Sequence, residues 1–168
     1  PPPTGARFCI NSASMTFVTQ TAAEKELATA TFAAGCFWGV ESIFRRVDGV
    51  IDTSVGYSGG EKEDPTYREV CYTDTGHAEA VEVKYDPEVV DYAKLVEVFF
   101  DNHDPTTPDR QGVDVGTQYR SVIFCHDDAQ REAAESAIEA LTEAERFKDP
   151  IVTQLVEAAP FWRAEEYH

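Results

Sequence analysis

The sequence is poor in basic residues and has no long apolar run. Its 168 residues carry 14 Lys and Arg against 31 Asp and Glu, which gives a formal net charge of −17 at pH 7. A chain this acidic repels phosphate backbones and anionic lipid headgroups. No apolar stretch approaches the roughly 20 residues that a membrane helix needs. We therefore predict that its partners include neither nucleic acid nor membrane.

Closely spaced metal ligands and cysteine pairs are also lacking. The four cysteines lie far apart, without any Cys-x-x-Cys pair, at Cys9, Cys36, Cys71 and Cys125. This spacing excludes a thioredoxin-type redox pair and a zinc ribbon. The four histidines show no ligand spacing either. We expect no metal and no cofactor, with reduced thiols and a cytoplasmic location.

A length of 168 residues is typical of a single domain. The sequence also shows no repeat, no low-complexity linker and no change in composition that would mark a second domain. Met15 is the only methionine, and we expect residues 1–14, upstream of it, to lie outside the native domain. Residues 1–25 are predicted to form a flexible N-terminal segment. Residues 26–168 are predicted to form one catalytic domain, which we expect to be a monomer.

Hydrophobic periodicity predicts interleaved strands and helices. Apolar or alternating runs predict strands at 27–33, 49–60, 79–86, 118–125 and 150–158. A period near 3.6 predicts helices around 40–47, after Asp91, and over 127–147. This order predicts an α+β fold, a two-layer α/β sandwich with a βαβ core, a mixed sheet and long coil segments. The long coils are predicted at 56–80 and 102–119, and long loops in compact domains are usually functional.

Cys36 lies where a predicted strand turns into a helix, in the stretch TFAAGCFWGVESIFRR. A thiol in the first turn of a helix meets unpaired N–H groups and the positive end of the helix dipole, which stabilise its thiolate. Position thus makes Cys36 the best nucleophile candidate, although an inert buried cysteine is the commoner use of this residue. His77 or His103 as its base would make the chain a Cys-His hydrolase or acyl transferase. A non-catalytic peptide-binding module is a third class.

Six short motifs, one of which contains Cys36, are spread along the chain. In chain order they are GCFWG, GYSGG, PTYREVC, TGHAEAV, HDPTT and GTQYRS. Together they resemble the peptide methionine sulfoxide reductase A family over about residues 28–168. The resemblance implies an α+β enzyme that repairs oxidised proteins by reducing methionine S-sulfoxide, protein-bound or free. It also implies recycling by thioredoxin or another thiol reductant.

The resemblance assigns roles to seven residues. They are Cys36 as nucleophile, Glu69 as acid, Tyr57 and Tyr119 as hydroxyl donors to the sulfoxide oxygen, Phe37 and Trp38 as an apolar wall, and Asp114 as a supporting residue. These residue types suit the reduction of a sulfoxide, because the sulfoxide sulfur is weakly electrophilic and needs a strong nucleophile, and its oxygen needs a proton to leave. A carboxyl in a poorly hydrated aromatic pocket has a raised pKa and can supply that proton.

The thiol that would resolve a sulfenic acid is missing from the family's usual places. Gly39 stands where some members carry a second cysteine, and the sequence ends at AEEYH without a cysteine tail. Three explanations remain open. The C-terminal tail is missing, an external thiol reduces the sulfenic acid directly, or one of the three other cysteines resolves it. We expect a Cys36 sulfenic acid to accumulate, and small thiols to sustain turnover better than thioredoxin.

Overall fold

The structure, a computed structural model, describes residues 26–165, so the predicted N-terminal segment lies outside the described residues. The helices are α1 (Phe37–Arg45), α2 (Tyr67–Tyr72), α3 (Tyr92–Asp101) and α4 (Asp128–Glu143). The strands are β1 (Ala28–Ala34), β2 (Val50–Ser58), β3 (Ala78–Tyr85), β4 (Arg110–Gln111), β5 (Asp114–Val115), β6 (Ser121–Cys125), β7 (Gln154–Glu157) and β8 (Phe161–Arg163). Within these bounds no helix is long and apolar enough to cross a membrane.

Six of the strands form one mixed sheet in the order β7-β6-β1-β3-β2-β8. Strands β6 and β7 pair in parallel, whereas the other neighbours are antiparallel. Since β1 and β2 both run antiparallel to β3, they are parallel to each other, and α1 connects them. The predicted α+β fold with a βαβ core and a mixed sheet is confirmed.

The main core lies between one face of the sheet and the helices. Phe32 of β1 stacks on Phe44 of α1 with ring centroids 4.9 Å apart, and on Phe99 of α3 at 5.2 Å. All three side chains are buried. Helices α2, α3 and α4 each begin at a side-chain cap. At the start of α3, for example, the carboxylate of Asp91 accepts the Lys94 N–H. This packing fixes the βαβ unit that carries Cys36.

The sheet curls until its two edges approach each other. Only residues 158–160 connect β7 at one edge to β8 at the other, and four Cα steps span at most about 15 Å. In a flat sheet, five gaps of about 4.8 Å would hold these edges about 24 Å apart. A second cluster of buried residues lies on the face away from the helices, where Phe161 of β8 packs near Phe124 of β6. Small side chains on this concave face allow the curl.

The structure also corrects two predicted loops and adds one strand. The loop predicted at 56–80 contains the end of β2 and the helix α2. The loop predicted at 102–119 contains the two-stranded β4–β5 hairpin and a 3₁₀ turn, Thr117–Tyr119. The strand β8 was not predicted. These elements have two to six residues each, too few for a hydrophobic period to show in the sequence.

Candidate active site

Cys36 is the N-cap residue of α1, one residue after a tight turn that follows β1. Gly35 makes this turn with φ of +99°, and a Cβ there would come within 2.8 Å of the Gln111 side chain. A glycine is therefore required for the β4–β5 hairpin to pack against the strand-to-helix turn. The Cys36 thiol is free and partly exposed. The predicted strand, turn and helix around Cys36 are all observed.

Glu79 of β3 is the buried acid beside Cys36, and the roles inferred from the sequence did not include it. Its side chain is 1% exposed, and its Oε1 accepts the backbone N–H of Phe37, the residue after Cys36, at 3.2 Å. Its Oε2 has no hydrogen-bond partner among residues 26–165. Burial raises the pKa of Glu79 to about 7, the hydrogen bond from Phe37 opposes this, and the charge of Asp114 adds to it. A protonated carboxyl is thus available near neutral pH.

Glu69 lies at the start of α2, on the surface. It forms a capping box with Thr66, whose backbone N–H donates to Glu69 Oε2 at 2.8 Å. Lys62 lies 3.4 Å from its other oxygen. The hydrogen bonds from Thr66 and then the contact with Lys62 lower the pKa of Glu69. The apolar surroundings that an acid of this chemistry needs are found at Glu79 instead.

Tyr57 and Tyr67 both lie beside Phe37, but their hydroxyls have different partners. Tyr57 is fully buried, and its hydroxyl donates to the Glu165 carboxylate at 3.3 Å. Tyr67, the first residue of α2, has its hydroxyl hydrogen-bonded to the Cys71 thiol. That bond, then burial, and then the negative charges of Cys71 and Glu79 raise the pKa of Tyr67. Tyr67 is one of the loop hydroxyls that the sequence offers as a partner of Cys36, although the resemblance gives it no role, and it lies within the electrostatic reach of Glu79.

Tyr119 and Asp114 complete the polar part of the site. Burial raises the pKa of Tyr119 to about 12, and the negative charges of Glu79, Cys71, Asp114 and Cys36 add to this effect in that order. Asp114 comes from the β4–β5 hairpin, and Tyr119 ends the 3₁₀ turn that follows it. The structure thus brings Cys36, Tyr119 and Asp114 together as expected, around Glu79.

Phe37 and Trp38 form an aromatic wall beside Cys36. Their ring centroids lie 6.2 Å apart at an angle of 42°, and Phe37 also lies 5.8 Å from the Tyr57 ring and 6.4 Å from the Tyr67 ring. Phe37 is buried, whereas Trp38 is 54% exposed. The wall therefore has a fixed inner part and an outer rim open to solvent.

Both candidate histidines are engaged elsewhere. His77 Nδ1 accepts the Gly60 N–H at 3.0 Å, so its Nε2 carries the proton and donates to the Lys62 carbonyl. His103 bonds the Phe99 carbonyl through Nδ1 and the Ser121 hydroxyl through Nε2. Burial lowers the pKa of His103 to about 4. Each ring joins loops to the sheet or to a helix, and neither contacts Cys36 through a ring nitrogen. Within residues 26–165, no group of three or more His, Cys, Asp or Glu is arranged to hold a metal ion.

Comparisons with known proteins identify the family of the chain. The sequence model of the peptide methionine sulfoxide reductase family matches residues 28–168. The chain is 58% identical over 147 residues to the peptide methionine sulfoxide reductase MsrA of Methanoculleus marisnigri, which covers 88% of this chain and 90% of that protein.

Solved structures give the same result. Reduced Mxr1 from Saccharomyces cerevisiae is similar to the chain with a TM-score of 0.77 and 38% identity, over 86% of this chain and 83% of the yeast chain. Mxr1 has also been solved in complex with Trx2, and that structure matches with a TM-score of 0.61 and 29% identity, over 85% of this chain and 84% of the yeast chain.

Proposed function

The chain belongs to the MsrA family of peptide-methionine (S)-S-oxide reductases, and we propose that it performs this reduction with Cys36 as nucleophile and Glu79 as general acid. The observation that carries the assignment is the carboxyl of Glu79. It is buried, its pKa is raised to about 7, and one oxygen is held by the residue next to Cys36. The other oxygen is buried as well and has no hydrogen-bond partner among residues 26–165.

The reaction needs these two groups at the same time. The Cys36 thiolate attacks the sulfoxide sulfur, and protonated Glu79 gives its proton to the sulfoxide oxygen, so that the oxygen can leave. The substrate sulfur gains two electrons and becomes the thioether of methionine. The protonated oxygen passes to the Cys36 sulfur as the transient bond between the two sulfur atoms breaks. Cys36 thus loses two electrons and ends as a sulfenic acid.

Tyr67 and Tyr119 are proposed to hold the sulfoxide oxygen, and Asp114 to keep Glu79 protonated by charge repulsion. The raised pKa values of both tyrosines keep their hydroxyls neutral, as hydrogen-bond donors must be. Phe37 and Trp38 are proposed to pack against the S-methyl group, since sulfur and methyl groups contact aromatic rings favourably. This arrangement recognises the methylsulfinyl group in protein-bound or free form.

A thiol reductant, thioredoxin or a smaller thiol, is proposed to recycle the enzyme. The complex of the yeast relative with Trx2 supports a thioredoxin. Burial raises the pKa of both the Cys71 and the Cys125 thiols, which makes them weak nucleophiles toward a sulfenic acid. This supports the expectation that the reductant attacks Cys36 directly. The cytoplasmic location and the monomeric state remain predictions.

The reaction is tested with the two epimers of methionine sulfoxide under single-turnover conditions. We expect the S epimer to consume one thiol per chain at Cys36, and the R epimer to consume none, because acid, hydroxyls and wall fix three substituents of the sulfur. Free thiols are counted over time, and the oxidised residue is identified by mass spectrometry. Equal rates for the two epimers would contradict the proposed arrangement.

The pH dependence of the same single turnover reports on Glu79. The reaction needs the Cys36 thiolate and protonated Glu79 together, so the ratio of the wild-type rate constant to that of Glu79→Gln isolates the carboxyl, because both proteins share the ionisation of the thiol. With the pKa of Glu79 at about 7, this ratio should fall as pH rises above that value, by up to about tenfold per pH unit. A ratio that stays level up to about pH 9 would assign the proton to another group.

A further inference from the structure

Glu165 joins two parts of the site wall although it lies about a hundred residues from them. Its two carboxylate oxygens accept the backbone N–H of Tyr67 at 3.2 and 3.1 Å. One of these oxygens also accepts the Tyr57 hydroxyl at 3.3 Å. Hydrogen bonds to a charged acceptor are among the strong ones in proteins. One side chain from the C-terminal segment thus bonds both the end of β2 and the start of α2.

The sheet fixes where this carboxylate lies. Strand β8 pairs with the end of β2, with Trp162 opposite Tyr57, and the Ala164 N–H continues the ladder to the Val55 carbonyl at 2.9 Å. A Cβ on Gly56 would come within 2.3 Å of the Trp162 carbonyl oxygen. This close approach of the two strands requires a glycine at position 56. Glu165 therefore emerges from the sheet edge directly beside the buried Tyr57.

The two tyrosines that Glu165 contacts lie against the reacting groups. Both of their rings pack on Phe37, whose N–H holds Glu79. The Tyr67 hydroxyl, bonded to Cys71, is within reach of the charge of Glu79. A shift at the Tyr67 backbone would therefore move a proposed oxygen-binding hydroxyl and the support of the aromatic wall together.

We propose that Glu165 is a positioning residue of the active site, which holds Tyr67 and Tyr57 in place for the reaction. This inference rests on the proposed function. It makes a residue after β8 a determinant of the rate, although Glu165 supplies no group to the chemistry itself. Small displacements of positioned groups lower rates by about tenfold to a hundredfold.

The test compares Glu165→Gln and Glu165→Asp with Glu157→Gln, which changes an exposed glutamate of β7 in the same part of the chain. Gln brings an amide N–H₂ toward the hydroxyl and N–H donors, so we expect the single-turnover rate constant to fall about tenfold or more. Asp keeps the charge on a shorter side chain and should restore part of the rate. Glu157→Gln should stay within about twofold of wild type.

A second measurement does not depend on activity. Hydrogen exchange at the Tyr67 amide should become at least about tenfold faster in Glu165→Gln, while the amides of the central strand β3 keep their protection. In a double-mutant cycle, Tyr57→Phe should add little to Glu165→Gln, because the two changes remove the same bond.

The outcomes separate the two proposals. A wild-type protein that reduces neither epimer would refute the proposed function. Unchanged hydrogen exchange at the Tyr67 amide in Glu165→Gln would instead refute the proposal that Glu165 holds Tyr67 in place. A wild-type rate constant in Glu165→Gln, or a loss of rate with unchanged exchange at Tyr67, would overturn the positioning role.

Discussion

Replacing Glu79 by Gln is expected to slow single-turnover reduction of methionine S-sulfoxide by about 10²–10⁴-fold, the usual contribution of a general acid. Gln has nearly the same shape and keeps an oxygen that can accept the Phe37 N–H, but it cannot release a proton to the sulfoxide. The fold should therefore persist while the chemical step fails. The rate constant is measured with excess enzyme, and circular dichroism verifies the fold.

Glu69→Gln provides the matched control for this experiment. It is the same substitution ten residues earlier, in the helix cap formed with Thr66. Gln is also a common third residue of a capping box, so α2 should be retained and the rate constant should change less than about twofold. If Glu69→Gln lost as much activity as we expect of Glu79→Gln, the acid would be Glu69, and the buried carboxyl would have another role.

Replacing Cys36 by Ser is expected to abolish reduction, with less than about 1% of the wild-type rate remaining. A serine hydroxyl is not ionised at neutral pH, and it cannot accept the oxygen to form a sulfenic acid. Loss of one sulfur atom from a partly exposed N-cap position should leave the fold intact, because Ser is a favoured N-cap residue. Turnover and a sulfenic-acid-specific label are the two measurements.

The other described cysteines are the controls for Cys36. Cys125→Ser should leave the chemical step unaffected, since Cys125 lies at the end of β6 on the core side of the sheet. Cys71→Ser should keep an acceptor for the Tyr67 hydroxyl and retain most of the rate. Turnover of Cys36→Ser above a few per cent of wild type, with unchanged circular dichroism, would identify a different nucleophile.

The long elements of the fold were predictable because each buries one face against the core. The alternation in 79–86 and the period of 3.6 residues after Asp91 are direct consequences of that burial. The helix α2 buries only Val70, so its hydrophobic signal is minimal. The start of α2 could nevertheless be predicted from the sequence, since Thr66 followed three residues later by Glu69 is the pattern of a capping box.

That same pattern explains the reassignment of the acid. The motif around Glu69 directed the prediction to a carboxyl of a helix cap, whereas the acid that we propose is the buried Glu79. In the strand over 79–86, Glu79 shares its face with Val81 and Val83, and an acid on the buried face of a strand is the available signal for a raised pKa. No local pattern could identify Glu165, since its partners are brought to it only by pairing of the last strand with β2.

The placement of β7 and β8 at opposite edges of the sheet has a consequence for biosynthesis. Both edge strands come from residues 154–163, so a nascent chain that has reached only α4 displays β6 and β2 with unpaired backbone groups. Such open edges invite pairing with other chains. Synthesis of residues 154–165 covers both of these strands with short edge strands and delivers Glu165 to the tyrosines in one step. A nascent chain that stops before residue 154 is therefore prone to aggregation and lacks the contacts of Glu165, so the covering of β6 and β2 and the completion of the site occur together.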